Sequence, residues 1–493
     1  MKTNSAFRLK WLFLSCILLL SFTSCKTRTK IDLLASPSDS VRIFSSDTLL
    51  VNVFNWARKT SDGFVGKDSD PVGPWYEAAL PGREAFCIRD VSHQCIGAEI
   101  LWQGKQNLNM FRRFVENISA GKDYCSYWEI NRYNKPAPVD YASDDDFWYN
   151  LNANFDIIDA CYKLYEWTGN KTYLSDSIFD NFFRQTLNQY VDRWQLQADR
   201  IMDRPVRMNR KPGTRRFAYA RGIPSYDESQ DGLTVSADLL GMIFNGFRTY
   251  AQMLNLRGDS TEALAYAARA SQYKRLIDSL WWDPASQSYY GFFKTDRKFY
   301  PGGTANSEFL LWYGAMDDSA RIVKSLRDIR NSQVEVLSYL PMLYYRYGLN
   351  AEGYDFLGKI YTDKRRNYPE ASAAAIEAIV RGMMGVQPEA SKGLVITCPR
   401  LTNSTAWTTV ENIPVFCGLI SVSHLSQTHT FFANKSGNTV NWRAAFQGNF
   451  PAIKLNGQKL PASHFRDAAG QVHSYADVVV PAGSQAEAEA AGE

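Results

Sequence analysis

From Val91 to Met384 one pattern keeps returning: an apolar stripe at helical spacing, a break, then another stripe. Ile96, Ile100 and Leu101 make one stripe, and Met110, Phe111, Phe114 and Ile118 make the next. Residues 155–167 read as a further helix, stopped at Gly169, because glycine tolerates the left-handed backbone that ends a helix. A helix follows from Phe179 to Trp194, and another from about Val235 to Leu256, ending near Gly258. Asp259 or Ser260 then caps an alanine-rich helix to Trp281. More helices are predicted at 306–316, 319–327, 334–347, 351–361 and 371–384, and only 288–293 reads as a short strand hairpin in this stretch. Helices paired in this way stack into an open solenoid or close on themselves. No fixed repeat period is visible, which argues against the solenoid. The expected fold is mainly α, a closed barrel of helical hairpins with its irregular loops gathered at one mouth.

After Pro388 the pattern changes. Residues 393–399, 419–423, 428–432 and 439–444 read as short strands separated by turns such as Lys435-Ser436-Gly437-Asn438, predicting a small β-sandwich over 391–484. Residues 485–493 are mostly alanine and glutamate and are expected to form a flexible tail. At the other end, Lys2, Arg8 and Lys10 precede the apolar run 11–20, and small residues lead into Cys25. That order is an export signal too short to span a bilayer. Ser21-Phe22-Thr23-Ser24-Cys25 resembles a bacterial lipobox, with Phe22 where leucine is usual. Residues 1–25 are therefore expected to be a lipoprotein signal peptide with a lipidated Cys25. Residues 26–80 would be a tether and N-terminal cap, in which 48–54 reads as a strand or a cap segment, and 81–390 the helical domain. The protein would be exported and lipid-anchored in the periplasm or at the outer membrane, touching the membrane through the anchor alone.

At 493 residues the chain has room for a large core and an accessory domain. The net charge of +4 is spread without runs, so no nucleic-acid partner is implied. There is no CxxC pair and no HExxH, only five histidines exist, and neither a metal nor another cofactor is called for. Asp144-Asp145-Asp146 reads as a solvated helix entry, with bound calcium left open as the alternative. Cys87, Cys95, Cys125, Cys161, Cys398 and Cys417 remain after the signal, an even number that permits disulfides without needing them.

Function has to be sought in loops that interrupt the helices. Trp75 and Tyr76, Trp128, and Trp148 lie in aromatic clusters beside Asn, Asp, Glu or Arg. Such rings are usually core, yet they also suit a sugar, whose C–H faces stack on aromatics while its hydroxyls need planar donors and acceptors. Two acidic loops open long helices: 224–231, with Tyr226, Asp227, Glu228 and Asp231, and 366–370, with Tyr368-Pro369-Glu370. Each sets carboxylates beside tyrosine where the backbone turns. These carboxylates would equally serve as helix-entry caps favouring the positive end of the dipole.

The helical hairpins, Arg89-Asp90 before the first long helix, the acidic loop ahead of a middle helix, Tyr368-Pro369-Glu370 near the end of the helices and the trailing β-region together resemble the six-hairpin (α/α)6 glycosidases. That superfamily includes trehalases, glucoamylases, glycogen-debranching and glucosidase I-type enzymes and α-L-rhamnosidases. The resemblance covers roughly 75–480 and implies an (α/α)6 toroid with the sugar site at one mouth. It implies Asp227 as general acid, with Glu228 and Glu129 as alternatives, and Glu370 as general base. Arg89 and Asp90 would clamp the sugar, with Trp75, Tyr76, Trp128, Trp148 and Tyr226 as further substrate contacts. His93 reads as a packing residue. An inverting pair of carboxyls stands roughly 6.5–9.5 Å apart.

The expected activity is hydrolysis of an oligosaccharide or glycoside with inversion. A polysaccharide lyase or sugar epimerase on the same toroid is one alternative, although no His-Tyr cluster with a supporting Arg or Asn is evident. A non-catalytic carbohydrate-binding lipoprotein is another.

Overall fold

A computed structural model describes residues 31–492, apart from 36–38, 79, 206–215, 218–219, 330–339, 403–404 and 417. The expected signal peptide, with Cys25, and most of the tether lie outside the described residues, as does Cys417. Leu33–Glu493 forms one compact unit.

The helices are α1 (Thr48–Gly63), α2 (Ile88–Ile100), α3 (Gly104–Glu116), α4 (Ala153–Thr168), α5 (Thr172–Ser175), α6 (Ser177–Gln185), α7 (Val191–Arg193), α8 (Ala237–Arg257), α9 (Ser260–Leu280), α10 (Gly303–Trp312), α11 (Ser319–Asp328), α12 (Leu340–Arg346), α13 (Asn350–Thr362) and α14 (Pro369–Glu377). Gly169 and Gly258 end α4 and α8 in the left-handed conformation, as their positions in the sequence predict. The helix expected at 371–384 starts at Pro369 and continues beyond Glu377 as a π-helical segment, Ala378–Met383.

Helix α2 packs on α4, α4 on α8, and α8 on α10. Arg346 at the end of α12 donates to the Trp312 carbonyl (2.6 Å) and the Tyr347 hydroxyl to that of Leu311 (3.0 Å), joining α12 to α10. Helix α12 then packs on Ala378–Met383, and α14 returns to α2. Helices α4, α8 and α14 are buried on nearly every side, as helices apolar all round must be. Helices α3, α9 and α11 back onto α2, α8 and α10 and keep a polar face outward.

Of the two expectations for 48–54 the strand is corrected: the segment begins helix α1, which packs on α14. Asp47 caps it by accepting from the Leu49 and Leu50 amides, and Leu50, Val53, Phe54 and Ala57 form a buried stripe at helical spacing. Just before it, Arg42–Ser45 pairs with Thr408–Val415, so the N-terminal segment begins a sheet completed by the C-terminal part of the chain. That sheet runs Arg42–Ser45, Thr408–Val415, Gly418–Ser426, His429–Asn434, Ser484–Ala491, Ala452–Leu455, Gln458–Pro461. A five-stranded sheet holds Gln387–Glu389, Leu394–Thr397, Val440–Gln447, Val472–Val480 and Ser463–Arg466. Phe432 of the first sheet stacks on Trp442 of the second, ring centroids 5.1 Å apart. The Trp167 indole of α4 donates to the Pro414 carbonyl (2.7 Å), fastening helices to strands.

The flexible tail is a second correction. Ser484–Ala491 is a strand inside the seven-stranded sheet, paired on both sides. Its alanine and glutamate alternate, so Ala486 and Ala488 face the core while Glu487 and Glu489 face outward. Composition suggested fraying; the period of two decides otherwise.

Candidate active site

Three helix entries converge on one space. The strand Ala85–Cys87 pairs with Glu129–Asn131 and runs directly into α2, which puts Arg89 and Asp90 in its first turn. Proline at the start of α14, where no amide donor is needed, leaves Glu370 in that helix's first turn. The loop before α8 is pinned from below. Asp238, in the first turn of α8, accepts from the Tyr226 amide (2.6 Å) and the Ser225 hydroxyl (3.1 Å). The Ser236 hydroxyl donates to the Pro224 carbonyl (2.7 Å) and caps α8. Burial nevertheless raises the buried Asp238 carboxyl to about 6. The effect is to hold Tyr226 out toward α2.

Arg89 is the hub. Its guanidinium lies over the Tyr226 ring (3.8 Å to the centroid) and beside the Trp128 ring (5.1 Å), donates to the Tyr226 carbonyl (3.3 Å) and pairs with Glu228 (3.4 Å). Glu228 also accepts from the Asn150 amide at 3.0 Å. Burial pushes the Tyr226 phenol well up; Arg89 opposes that, while the charges of Asp90, Glu370 and Asp156 add to it. All three carboxylates are therefore near enough to Tyr226 for their charges to reach its phenol. Glu370 is raised to about 7 by burial and then by the negative charge of Asp90, against its own backbone amide and Arg365, which donates to it at 3.1 Å.

Asp227 does not join this group. Its carboxylate turns back on its own loop, accepting from the Ser229 amide (3.0 Å) and hydroxyl (2.6 Å) and from Gln230 (3.0 Å). Burial raises it, but those contacts and Lys294 outweigh burial and lower its pKa, the opposite of what a proton donor needs. Its neighbour Glu228 reaches Arg89 instead. Glu129 is buried with Asp140, and Arg83 spans both (2.5 and 3.5 Å). Burial and Asp140 push Glu129 up, so this pair retains a proton; the charge of Asp90 on Glu129 and of Glu228 on Asp140 adds to this, which sets the pair beside the site.

Two expected substrate contacts are core residues. The Trp75 indole donates to Asp70 (2.7 Å) and covers Gly66, where a Cβ would lie 2.1 Å from the ring nitrogen. The buried Tyr76 hydroxyl donates to Asn107 (2.8 Å). Aromatics with a polar tip satisfied inside the protein read the same in sequence as aromatics lining a cleft. Trp128 borders Arg89. Trp148 is half-buried against Phe217, Ala220 and Ile223, and its amide donates to the Asp140 carbonyl (2.8 Å).

Sequence reasoning missed the residues that pack against Tyr226. The His93 ring lies parallel to that of Tyr226 (6.1 Å, 4°), with its Nε2 3.9 Å from Asp156. Asp156 accepts from the Tyr313 hydroxyl at 2.6 Å. These residues border a cavity of about 10 Å³, room for about one water. The available signal was a carboxylate set within the apolar run Phe155-Asp156-Ile157-Ile158.

No protein-family model matches the chain, and no curated protein matches it. Solved structures do. A GH78 family rhamnosidase of Bacillus sp. GL1 aligns with a TM-score of 0.58 at 12% identity, over 80% of this chain and 40% of its own. An α-L-rhamnosidase from Dictyoglomus thermophilum gives 0.55 at 11%, over 92% and 50%. A putative kojibiose phosphorylase from the human microbiome gives 0.53 at 10%, over 89% and 63%. The chain shares the fold of these structures. It spans less than two thirds of the length of each, and no helix among the described residues is long and apolar enough to cross a membrane.

Proposed function

We propose that this chain is a glycoside hydrolase, acting at the mouth of a closed (α/α)6 barrel that carries a β-sandwich at its C-terminal end. The observation that carries the reading is the convergence of Asp90, Glu370 and Glu228 around the Arg89–Tyr226 clamp. Glycoside hydrolysis asks for one carboxyl that gives a proton to the leaving oxygen and one carboxylate that serves the opposite face. Glu370, holding its proton up to about pH 7, suits the donor. Glu228, turned inward by Asn150 and Arg89, suits the carboxylate that activates water. The roles expected from sequence thus move: Glu370 becomes the acid rather than the base, and Glu228 replaces Asp227 in the pair. Arg89 and Asp90 would hold neighbouring hydroxyls of the sugar, with Trp128 and Tyr226 as its aromatic wall.

The rhamnosidases that share the fold make α-L-rhamnosides the first substrates to assay. With aryl glycosides, Glu370→Gln should lose poor leaving groups by about a hundredfold or more and spare good ones. Glu228→Gln should lose both, and Asp227→Asn should leave both nearly unchanged. Full turnover by both glutamine variants would sink the assignment. NMR of the first-formed sugar tests inversion, with the retained anomer as the contrary outcome. The phosphorylase likeness favours one rival, attack by phosphate in place of water; a strict requirement for added phosphate would establish it. We also propose the lipid anchor at Cys25, at the periplasm or outer membrane. Cys25→Ser should move the protein to the soluble fraction, and unchanged fractionation would exclude the anchor.

A further inference from the structure

Away from the carboxyl pocket, a cavity of about 190 Å³ lies between the end of α12, the π-helical segment and the five-stranded sheet. Cys398 opens onto it. The Cys398 Sγ lies 3.8 Å from His473 Nδ1, and the opposite ring nitrogen, Nε2, faces Asp467 at 3.0 Å. Phe465 stacks on the imidazole (4.9 Å, 8°) and fixes its plane. Nucleophile, imidazole and a carboxylate that orients the imidazole thus stand in line, the arrangement that activates a thiol. Burial lowers the His473 pKa, but the contacts with Asp467 and Cys398 more than offset this and raise it to about 9, so at neutral pH the ring carries its proton and sets a positive charge beside the Cys398 sulfur.

The walls bias what enters. Arg346, Arg381 and Arg400 line the cavity. Arg381 pairs with Glu377 (2.8 Å), whereas Arg346 and Arg400 donate to the carbonyls of Trp312 (2.6 Å) and Gly382 (2.7 Å), with no carboxylate at ion-pair distance among the described residues. Burial and the neighbouring Arg381 lower the Arg346 pKa, and outweigh Tyr347, Glu377 and Asp159, which raise it. A second cavity of about 380 Å³ shares Arg346 and Arg381 and adds Lys163 and Arg248 together with Glu166 and Asp159, which pairs with Lys163 at 2.5 Å. Cys95 borders the cavity of about 10 Å³.

We propose that Cys398, His473 and Asp467 form a second reactive site, a nucleophilic thiol in an arginine-lined cavity that takes small electrophiles carrying a carboxylate. With iodoacetate as the probe, the sulfhydryl gives its proton to solvent, the His473 imidazolium steadies the negative sulfur, and the Sγ–carbon bond forms as the carbon–iodine bond breaks. Iodide leaves with the bonding pair, Asp467 holds the imidazolium, and the carboxylate of the adduct rests among the arginines.

The test is alkylation of the full-length protein with iodoacetate and with iodoacetamide, each rate at Cys398 read by peptide mass spectrometry and normalised to the urea-unfolded chain. Cys398 should react ahead of Cys87, Cys95, Cys125 and Cys161, and the normalised rate should favour iodoacetate by about tenfold or more, as a cationic cleft concentrates anions. Arg400→Gln should shrink that preference. His473→Gln should slow both reagents, and Asp467→Asn, which keeps the ring, should do so more weakly; thermal melts identify any variant that has unfolded. A Cys398 that is alkylated only in urea, that shows no preference for the anionic reagent, or that reacts as fast in folded Asp467→Asn as in the parent would overturn the proposal.

Discussion

The Arg89 guanidinium lies 3.8 Å from the centroid of the Tyr226 ring, joining the first turn of α2 to the loop that opens α8. The contact braces that loop and aims the arginine fork at the pocket. The Arg89 Nε has no hydrogen-bond partner among the described residues, so a donor is left over. Lysine in its place keeps the charge but loses both the flat face and the fork. Arg89→Lys should therefore raise KM roughly ten- to a hundredfold and lower stability by about 1 kcal/mol. Kinetics and thermal melts on the same preparation check both. A melting loss with unchanged KM would make Arg89 a brace alone.

Glu370 links the pocket to pH in two ways. Its pKa in the folded protein, about 7, lies above the usual carboxylate value, so the folded state binds the proton more tightly than the unfolded one. Its penalty is absent below the unfolded pKa, grows as pH rises toward 7, and is full above that. Glu370→Gln removes the charge and should stabilise the protein at pH 8 by roughly 1–3 kcal/mol. The gain should shrink as pH falls through 7 and vanish near pH 4. As the donor, Glu370 should also set an alkaline limb on kcat/KM near pH 7. A stability gain that does not change with pH would mean that the carboxyl titrates normally.

The helical body was legible because several local signals agreed. Apolar stripes at helical spacing placed α4 and α8, and Gly169 and Gly258 marked their ends. Arg89, Asp90 and Glu370 could be picked out because each sits where a helix begins. The choice between Asp227 and Glu228 was not legible. Adjacent side chains in a loop point apart, and Ser229 and Gln230 decide which one is tied down. Trp75 and Tyr76 failed for a different reason: their partners, Asp70 and Asn107, satisfy polar tips that sequence leaves open. Asp156 and His93 stayed hidden because their meeting depends on how α2 packs against α4.

The last strand offers a sharp test of a reading from composition against a reading from periodicity. Ala488 is wholly buried between Thr430 and Leu455 on the neighbouring strands. A carboxylate there would have no room and no cationic partner from either neighbour. Ala488→Glu should cost about 3 kcal/mol or more, since an unpaired charge must be buried or the strand expelled. Glu489, one residue on, is more than a third exposed and pairs loosely with Lys454 at 3.4 Å. Glu489→Ala should change stability by about 0.5 kcal/mol or less. The contrast between adjacent positions is what an alternating strand requires, and denaturant unfolding of the two variants reads it directly. Equal, small effects at both positions would restore the flexible tail and remove Ser484–Ala491 from the sheet.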